Sequence, residues 1–226
     1  MLFLNGWAAD ERVWQELSEL PGVHMYDFLT EDSLSDADAY LDRLYQQEGK
    51  VDLVGWSMGG MLALELAERY PDKISRLMLI GSTAKFLQDK EYVHGVPLGN
   101  LQWLRRSVRK NSTQAQEDFY QQMFADGELA QLAKFPDKAM IESKEALLAG
   151  LSYLEKTDLR NILPQIKLPV HIIHGTDDAV CPVGAAVYMK EYLPECKLTI
   201  FEDCGHIPFF TKADECRNIM RGAGFI

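Results

Sequence analysis

Residues 51–70 read VDLVGWSMGGMLALELAERY, and this stretch decides the fold. A mostly apolar run enters Gly55-Trp56-Ser57-Met58-Gly59, and Leu62, Leu64, Leu66 and Ala67 then suit a helix that ends before Pro71. Strand, sharp turn and helix in that order are the setting in which a GxSxG serine stands exposed above a sheet. The spacing has a steric cause. A serine on so tight a turn takes strained backbone angles, and glycine two residues to either side lets the two arms pass close together. The turn also aims the first helical amides at whatever the hydroxyl attacks, which makes the N–H of Met58 a candidate donor to a developing oxyanion. Ser57 is the candidate nucleophile.

A chain of 226 residues has room for one α/β domain with a substantial core. Its 47% hydrophobic and 25% charged residues make an ordinary globular mixture. A net charge of -11 argues against nucleic acid or an anionic membrane as partner. The acidic excess lies mainly in residues 1–84, whereas residues 85–150 hold nine basic and nine acidic side chains. No apolar run reaches membrane-spanning length and no basic, apolar leader is seen, so a cytoplasmic protein is expected. Cys181, Cys196, Cys204 and Cys216 lack CxxC or Cys/His spacing and read as free thiols in a reducing compartment. His24, His94, His171 and His174 have no metal-ligand spacing and read as structural. Neither a metal nor a cofactor is expected, and a monomer is the default.

Leu2-Phe3-Leu4 reads as a first buried strand that breaks into a loop at Asn5-Gly6-Trp7, with a helix from Asp10 carrying Val13, Trp14 and Leu17. A second strand is expected over residues 23–28, followed by a helix capped by Ser35 that reaches about Gln47. Residues 75–81 (SRLMLIG) form a continuous apolar run suited to a strand covered on both faces. This alternation predicts a doubly wound, mainly parallel sheet of about six strands. The rhythm then stops. Residues 101–109, 113–124, 127–135 and 142–156 carry helical patterning, so residues 85–164 are expected to form an inserted helical lid, with residues 1–84 and 165–226 as the α/β core. Strands resume at residues 170–174 and 197–201, with a helix between them led in by Pro182 and a last helix near residues 214–220.

Each of these final strands precedes a candidate catalytic residue. After VHIIH comes Gly175-Thr176-Asp177-Asp178, with Pro182 four residues further on, and after LTIFED comes Cys204-Gly205-His206. A serine needs a base to take its proton, and an imidazole needs a carboxylate to fix its tautomer and favour its charged form. His206 is the candidate base. Asp177 and Asp178 compete for the acid, and the GxxDxxxP spacing selects Asp178.

Taken together, NGW, GWSMGG, HGTDDAVCP and CGHIPFF, in this order, resemble the α/β-hydrolase superfamily along nearly the whole chain. Asn5-Gly6-Trp7 with Trp14, GWSMGG, Gly81-Ser82-Thr83 and residues 146–163 (ALLAGLSYLEKTDLRNIL) are similar to the pimeloyl-[acyl-carrier protein] methyl ester esterases of biotin synthesis. That resemblance implies hydrolysis of a methyl ester on a carrier-bound acyl chain. It implies Ser57 as nucleophile, His206 as base and then acid, Asp178 as its orienter, and the amides of Trp7 and Met58 as oxyanion hole. Trp7, Trp56 and Phe119 would line the acyl channel. The chain departs from the family in carrying NG for HG, in having no antiparallel hairpin before its first strand, and in the positions of its basic lid residues. Arg105, Arg106, Arg109 and Lys110 nevertheless fall within six residues of a predicted helix, a cluster suited to docking an acidic acyl-carrier protein. The same core also suits a general short-chain carboxylesterase or thioesterase, or a menaquinone-pathway lyase. A non-catalytic ligand-binding receptor is the alternative of another class.

Overall fold

The structure is a computed structural model that describes residues 1–17, 20, 22–26, 33–136, 141 and 143–226, without the side chains of residues 33–35. Strand β1 (Leu2–Leu4) leads to a 3-10 turn (Glu11–Trp14), β2 (His24–Tyr26) and helix α1 (Ser33–Glu48). β3 (Val51–Trp56) is followed at once by α2 (Met58–Arg69) and then β4 (Ile74–Ile80). Between β4 and β5 (Val170–Gly175) come α3 (Leu98–Lys110), α4 (Ser112–Gln122), a 3-10 segment (Asp126–Lys134) and α5 (Lys144–Lys156). After β5 come α6 (Gly184–Tyr192), β6 (Cys196–Phe201), α7 (Pro208–Thr211) and α8 (Ala213–Gly222).

The six strands form one sheet in the order β2-β1-β3-β4-β5-β6, every pair parallel. The chain moves outward from β1 to β2, then crosses back to β3 and continues in the opposite direction. The order therefore reverses between β1 and β3, the place where α/β sheets open a crevice beyond the carboxyl ends of their strands. Parallel strands put those ends along one edge. Ser57, Asp178 and His206 all lie in the chain that leaves that edge, after β3, β5 and β6.

Burial explains why these runs are strands. Leu53, Val54, Leu77, Met78, Leu79 and Ile80 have no solvent exposure, as expected where helices cover both faces. In α2, Met61, Leu62, Ala63, Leu64 and Leu66 are likewise inaccessible. Trp14 joins layers by packing its ring on Phe3, Trp56 and Phe209.

Several local expectations are revised. The helix expected from Asp10 is a single 3-10 turn, with Asp10 Oδ1 accepting from the Arg12 amide at 3.0 Å as its cap. The second strand spans His24–Tyr26, and residues 27 and 28 lie outside those described. α1 begins at Ser33, ahead of Ser35. The segment expected to be helical over residues 127–135 is 3-10 in form.

The helical segment between β4 and β5 leaves and returns through one clamp. Leu159 donates to the Ala84 carbonyl at 2.8 Å, and Lys85 bridges Asp158 in antiparallel fashion. Around this bridge Lys85 contacts Asp158 at 3.1 Å, Arg160 contacts Asp158 at 2.7 Å, and Asp89 also pairs with Lys85. The Arg160 hydrogen bond, aided by Lys85 against an opposing effect of burial, brings the Asp158 carboxyl down to about 2. A carboxyl depressed in the folded state adds stability that is present above its unfolded value near 4 and is lost as pH falls toward the folded value. Asp158→Asn is therefore expected to lose less stability than wild type between about pH 4 and pH 2. Urea unfolding across that range checks it.

Candidate active site

Ser57 joins β3 to α2 with φ 54° and ψ -121°, a conformation that costs a non-glycine residue roughly 1–3 kcal/mol. Its surroundings impose it. A Cβ at Gly55 would lie 2.6 Å from the Gly59 carbonyl oxygen, and one at Gly59 only 2.2 Å from that of Leu4. Glycine at both positions is what lets β3, α2 and β1 meet this closely. The Ser57 amide donates to Ile80 O at 2.9 Å, while its carbonyl accepts from Gly60 N at 3.0 Å and Ser82 Oγ at 2.7 Å. The main chain is thus fixed on both sides, yet the Ser57 hydroxyl bonds no described residue and Ser57 lines a cavity.

Asp178 and His206 approach this edge from two other loops. His206 Nδ1 stands 2.7 Å from Asp178 Oδ2, and both side chains are inaccessible to solvent. Asp178 Oδ1 accepts from the amides of Val180 at 2.9 Å and Cys181 at 2.7 Å. Burial alone would push this carboxyl up, but the charge of His206 and the hydrogen bonds from His174 and His206 outweigh it and hold it well below the usual range. Asp177, the competing acid, is exposed, and its amide donates to Cys204 O. His206 Nε2 is buried without a hydrogen-bond partner among the described residues.

The histidine loop is gripped by neighbouring elements. The His206 amide donates to Met123 O at 2.7 Å, and its carbonyl accepts from Trp56 Nε1 at 3.0 Å. Gly81 takes φ +53°, and a Cβ there would sit 3.0 Å from His206 Nδ1. The Gly205 amide donates to Glu128 Oε2 at 2.8 Å, an oxygen that also accepts from Ala125 N at 3.1 Å. Glu128 belongs to the segment between β4 and β5 and is 3% exposed.

The same segment holds the loop after β1. Trp7 Nε1 donates to Leu147 O at 2.9 Å, its ring meets Phe119 edge-on at 4.8 Å, and the Tyr120 hydroxyl donates to Ala8 O at 2.7 Å. The Trp7 amide donates to no described residue, and that of Met58, first in α2, belongs to the helical N–H groups that lack an intrahelical acceptor. Trp7, Ser57, Phe119, Trp103, Leu104 and Leu151 are among the residues around a cavity of about 160 Å³.

Two expectations need correction. Trp56 does not line this cavity: it is fully buried, packed on Trp14, Phe209 and His206 beneath the histidine loop. Arg105 is not available beside Arg106, Arg109 and Lys110, because its guanidinium pairs with Glu155 at 2.6 Å and caps Leu151 O. Arg106, Arg109 and Lys110 are exposed and make no ion pair among the described residues. Sequence reasoning missed Trp103, Asn100 and Gln122 around the cavity and Glu128 beneath the histidine loop. It also missed His174, whose i,i+4 spacing from Asp178 was the available signal.

A parallel sheet with the order reversal beside β1, a strained serine after β3 and a buried histidine–aspartate pair after β5 and β6 define a hydrolase-type architecture. The profile of the alpha/beta hydrolase fold matches residues 9–213, and the chain belongs to that family. It is 31% identical to the pimeloyl-[acyl-carrier protein] methyl ester esterase of Nitrosomonas europaea, over 93% of this chain and 90% of that protein. The esterase of the same name from Aromatoleum aromaticum is 28% identical over 98% of both chains. Among solved structures, an esterase from Exiguobacterium antarcticum superposes with a TM-score of 0.84 at 23% identity, covering 98% of this chain and 90% of its own, a likeness of fold.

Removing the Glu128 carboxylate leaves two buried amides, those of Gly205 and Ala125, without an acceptor. Glu128→Ala is expected to cost about 2 kcal/mol of stability and to lower kcat for an ester by loosening the histidine loop. Denaturant unfolding and steady-state kinetics on the same preparation check both effects.

Proposed function

We propose that this protein is a serine carboxylesterase that uses Ser57, His206 and Asp178, and that its substrate is the methyl ester of pimeloyl-[acyl-carrier protein]. One observation carries the reading: His206 Nδ1 is fixed on a buried carboxylate, while the two groups such a triad must connect, the Ser57 hydroxyl and His206 Nε2, are bonded to no other group among the described residues.

In this reading His206 Nε2 takes the Ser57 proton as Oγ attacks the ester carbonyl. The amides of Trp7 and Met58 donate to the oxygen that becomes negative. His206 then returns the proton to the departing methoxide, methanol leaves, and an acyl-Ser57 ester remains. Water, deprotonated by the same nitrogen, releases the acid and restores the serine hydroxyl. Asp178 keeps the proton on Nδ1 and stabilises the imidazolium of each step. The cavity lined by Trp7, Phe119, Trp103, Leu104 and Leu151 offers an apolar surface for the acyl chain.

The substrate is supported by the names of the curated relatives. The surface adds a physical reason for a carrier-bound ester. Trp103, which borders the cavity and is 49% exposed, shares one stripe of α3 with Arg106 and Lys110 at i, i+3 and i+7. An acidic carrier protein docked there would place its acyl arm at the cavity beside the 85–164 segment, which acts as the lid in this reading. Arg109 and Lys110 also complement the carboxyl end of α3, so part of their role is structural. No helix among the described residues is long and apolar enough to cross a membrane.

Ser57→Ala is expected to lower hydrolysis of pimeloyl-carrier methyl ester by about 10⁴-fold or more while the protein stays folded. Wild-type levels of turnover in that variant would refute the reading. Reversing Arg106, Arg109 and Lys110 to glutamate is expected to raise KM for the carrier-bound ester and to leave a small free ester unchanged. Equal changes for both esters would reject docking at α3.

A further inference from the structure

Asp178 faces a second imidazole. His174, at the end of β5, is fully buried, and its Nε2 lies 2.8 Å from the carbonyl oxygen of Cys181 and 3.2 Å from Asp178 Oδ2. A carbonyl oxygen only accepts, so Nε2 carries the hydrogen in either charge state of the ring. Nδ1 of the same ring is buried and without a partner among the described residues. The peptide that His174 holds through Cys181 O belongs to the residue whose amide grips Asp178 Oδ1 at 2.7 Å. One side chain thus acts on both carboxylate oxygens: on Oδ1 through the Cys181 turn, and on Oδ2 through the positive end of its own N–H.

We infer that His174 is a positioning residue for the His206–Asp178 pair, fixing the plane of the carboxylate and competing with His206 for the charge of Oδ2. The inference rests on the reading of His206 as the base and adds to it a control on the pH at which that base works. Its physical cause is competition. His206 meets Oδ2 at 2.7 Å and His174 meets the same oxygen at 3.2 Å, so positive charge on one ring opposes positive charge on the other. Among the described residues the Cys181 thiol also faces Asp178, and burial pushes it well up, leaving it neutral. Burial opposes a charged His174, but the hydrogen bond and attraction to Asp178 outweigh it and raise its pKa. Because His174 is inaccessible and does not border the cavity, its effect falls on the chemical step and not on substrate binding.

The test compares wild type with His174→Phe, which fills the space without a donor, and His174→Gln, which restores an N–H at similar reach. For a soluble p-nitrophenyl ester, His174→Phe is expected to lower kcat by about tenfold with KM unchanged. The acid limb of its kcat/KM profile is expected to move up by about one pH unit, because the unshared carboxylate holds the His206 imidazolium more strongly. His174→Gln is expected to return the limb toward wild type. NMR of ¹⁵N-histidine-labelled protein reads the same device without turnover: His174 of wild type carries its proton on Nε2, and the His206 midpoint rises in His174→Phe. A wild-type His174 protonated on Nδ1 alone, or an unmoved His206 midpoint in folded His174→Phe, overturns the inference. Absence of esterase activity from wild type would instead count against the function proposed above and leave the NMR comparison decisive for His174.

Discussion

A carboxylate cut off from solvent stays ionised only where donors meet its lone pairs, and the loops of this protein are arranged around that need at Asp178. Two backbone amides hold one oxygen and two imidazoles approach the other. The amides come from the turn after β5 and the nearer imidazole from the loop after β6, so meeting the carboxylate also draws two separate loops to one point on the sheet edge. The strain at Ser57 is the counterpart on β3. There the constraint is steric, set by backbone contacts that leave no room for a side chain at Gly55 or Gly59.

The helical segment between β4 and β5 takes part in this arrangement. Trp7 is bonded to Leu147, Ala8 to Tyr120, His206 to Met123 and Gly205 to Glu128, so the segment bonds both the loop after β1 and the histidine loop. The ion pairs of Lys85, Asp89, Asp158 and Arg160 hold its two ends to each other. The bonds to Leu147, Tyr120 and Glu128 are buried, which favours a fixed segment over a freely swinging cover.

The fold was legible because its decisive residues carry their own backbone requirements. Gly55, Ser57 and Gly59 announce a turn that few other sequences satisfy, and the apolar runs into Ile80 and Ile173 announce strands covered on both faces. Asp178 was separable from Asp177 by its distance from Gly175 and Pro182, and the structure buries the former against His206 while exposing the latter. What escaped depends on partners distant in sequence. The family resemblance implies Trp56 beside the acyl chain, but Trp56 is the last residue of β3 and its ring is fully buried under His206. Arg105 was grouped with its basic neighbours because Glu155, fifty positions away, is invisible to helical spacing. Glu128 reads as one more acid on a surface helix until Gly205 is seen above it. His174 has no metal-ligand spacing, and its one informative relation is the i,i+4 step to Asp178.

The claim on which the rest turns is that the hydroxyl on the strained turn after β3 is an activated nucleophile. Its most direct measurement is covalent trapping of the folded protein with a fluorophosphonate, followed by intact-mass and peptide mass spectrometry. One adduct per chain, located on Ser57, is the outcome this structure predicts. A folded protein that takes no label, or takes it elsewhere while Ser57 stays unmodified, would contradict it.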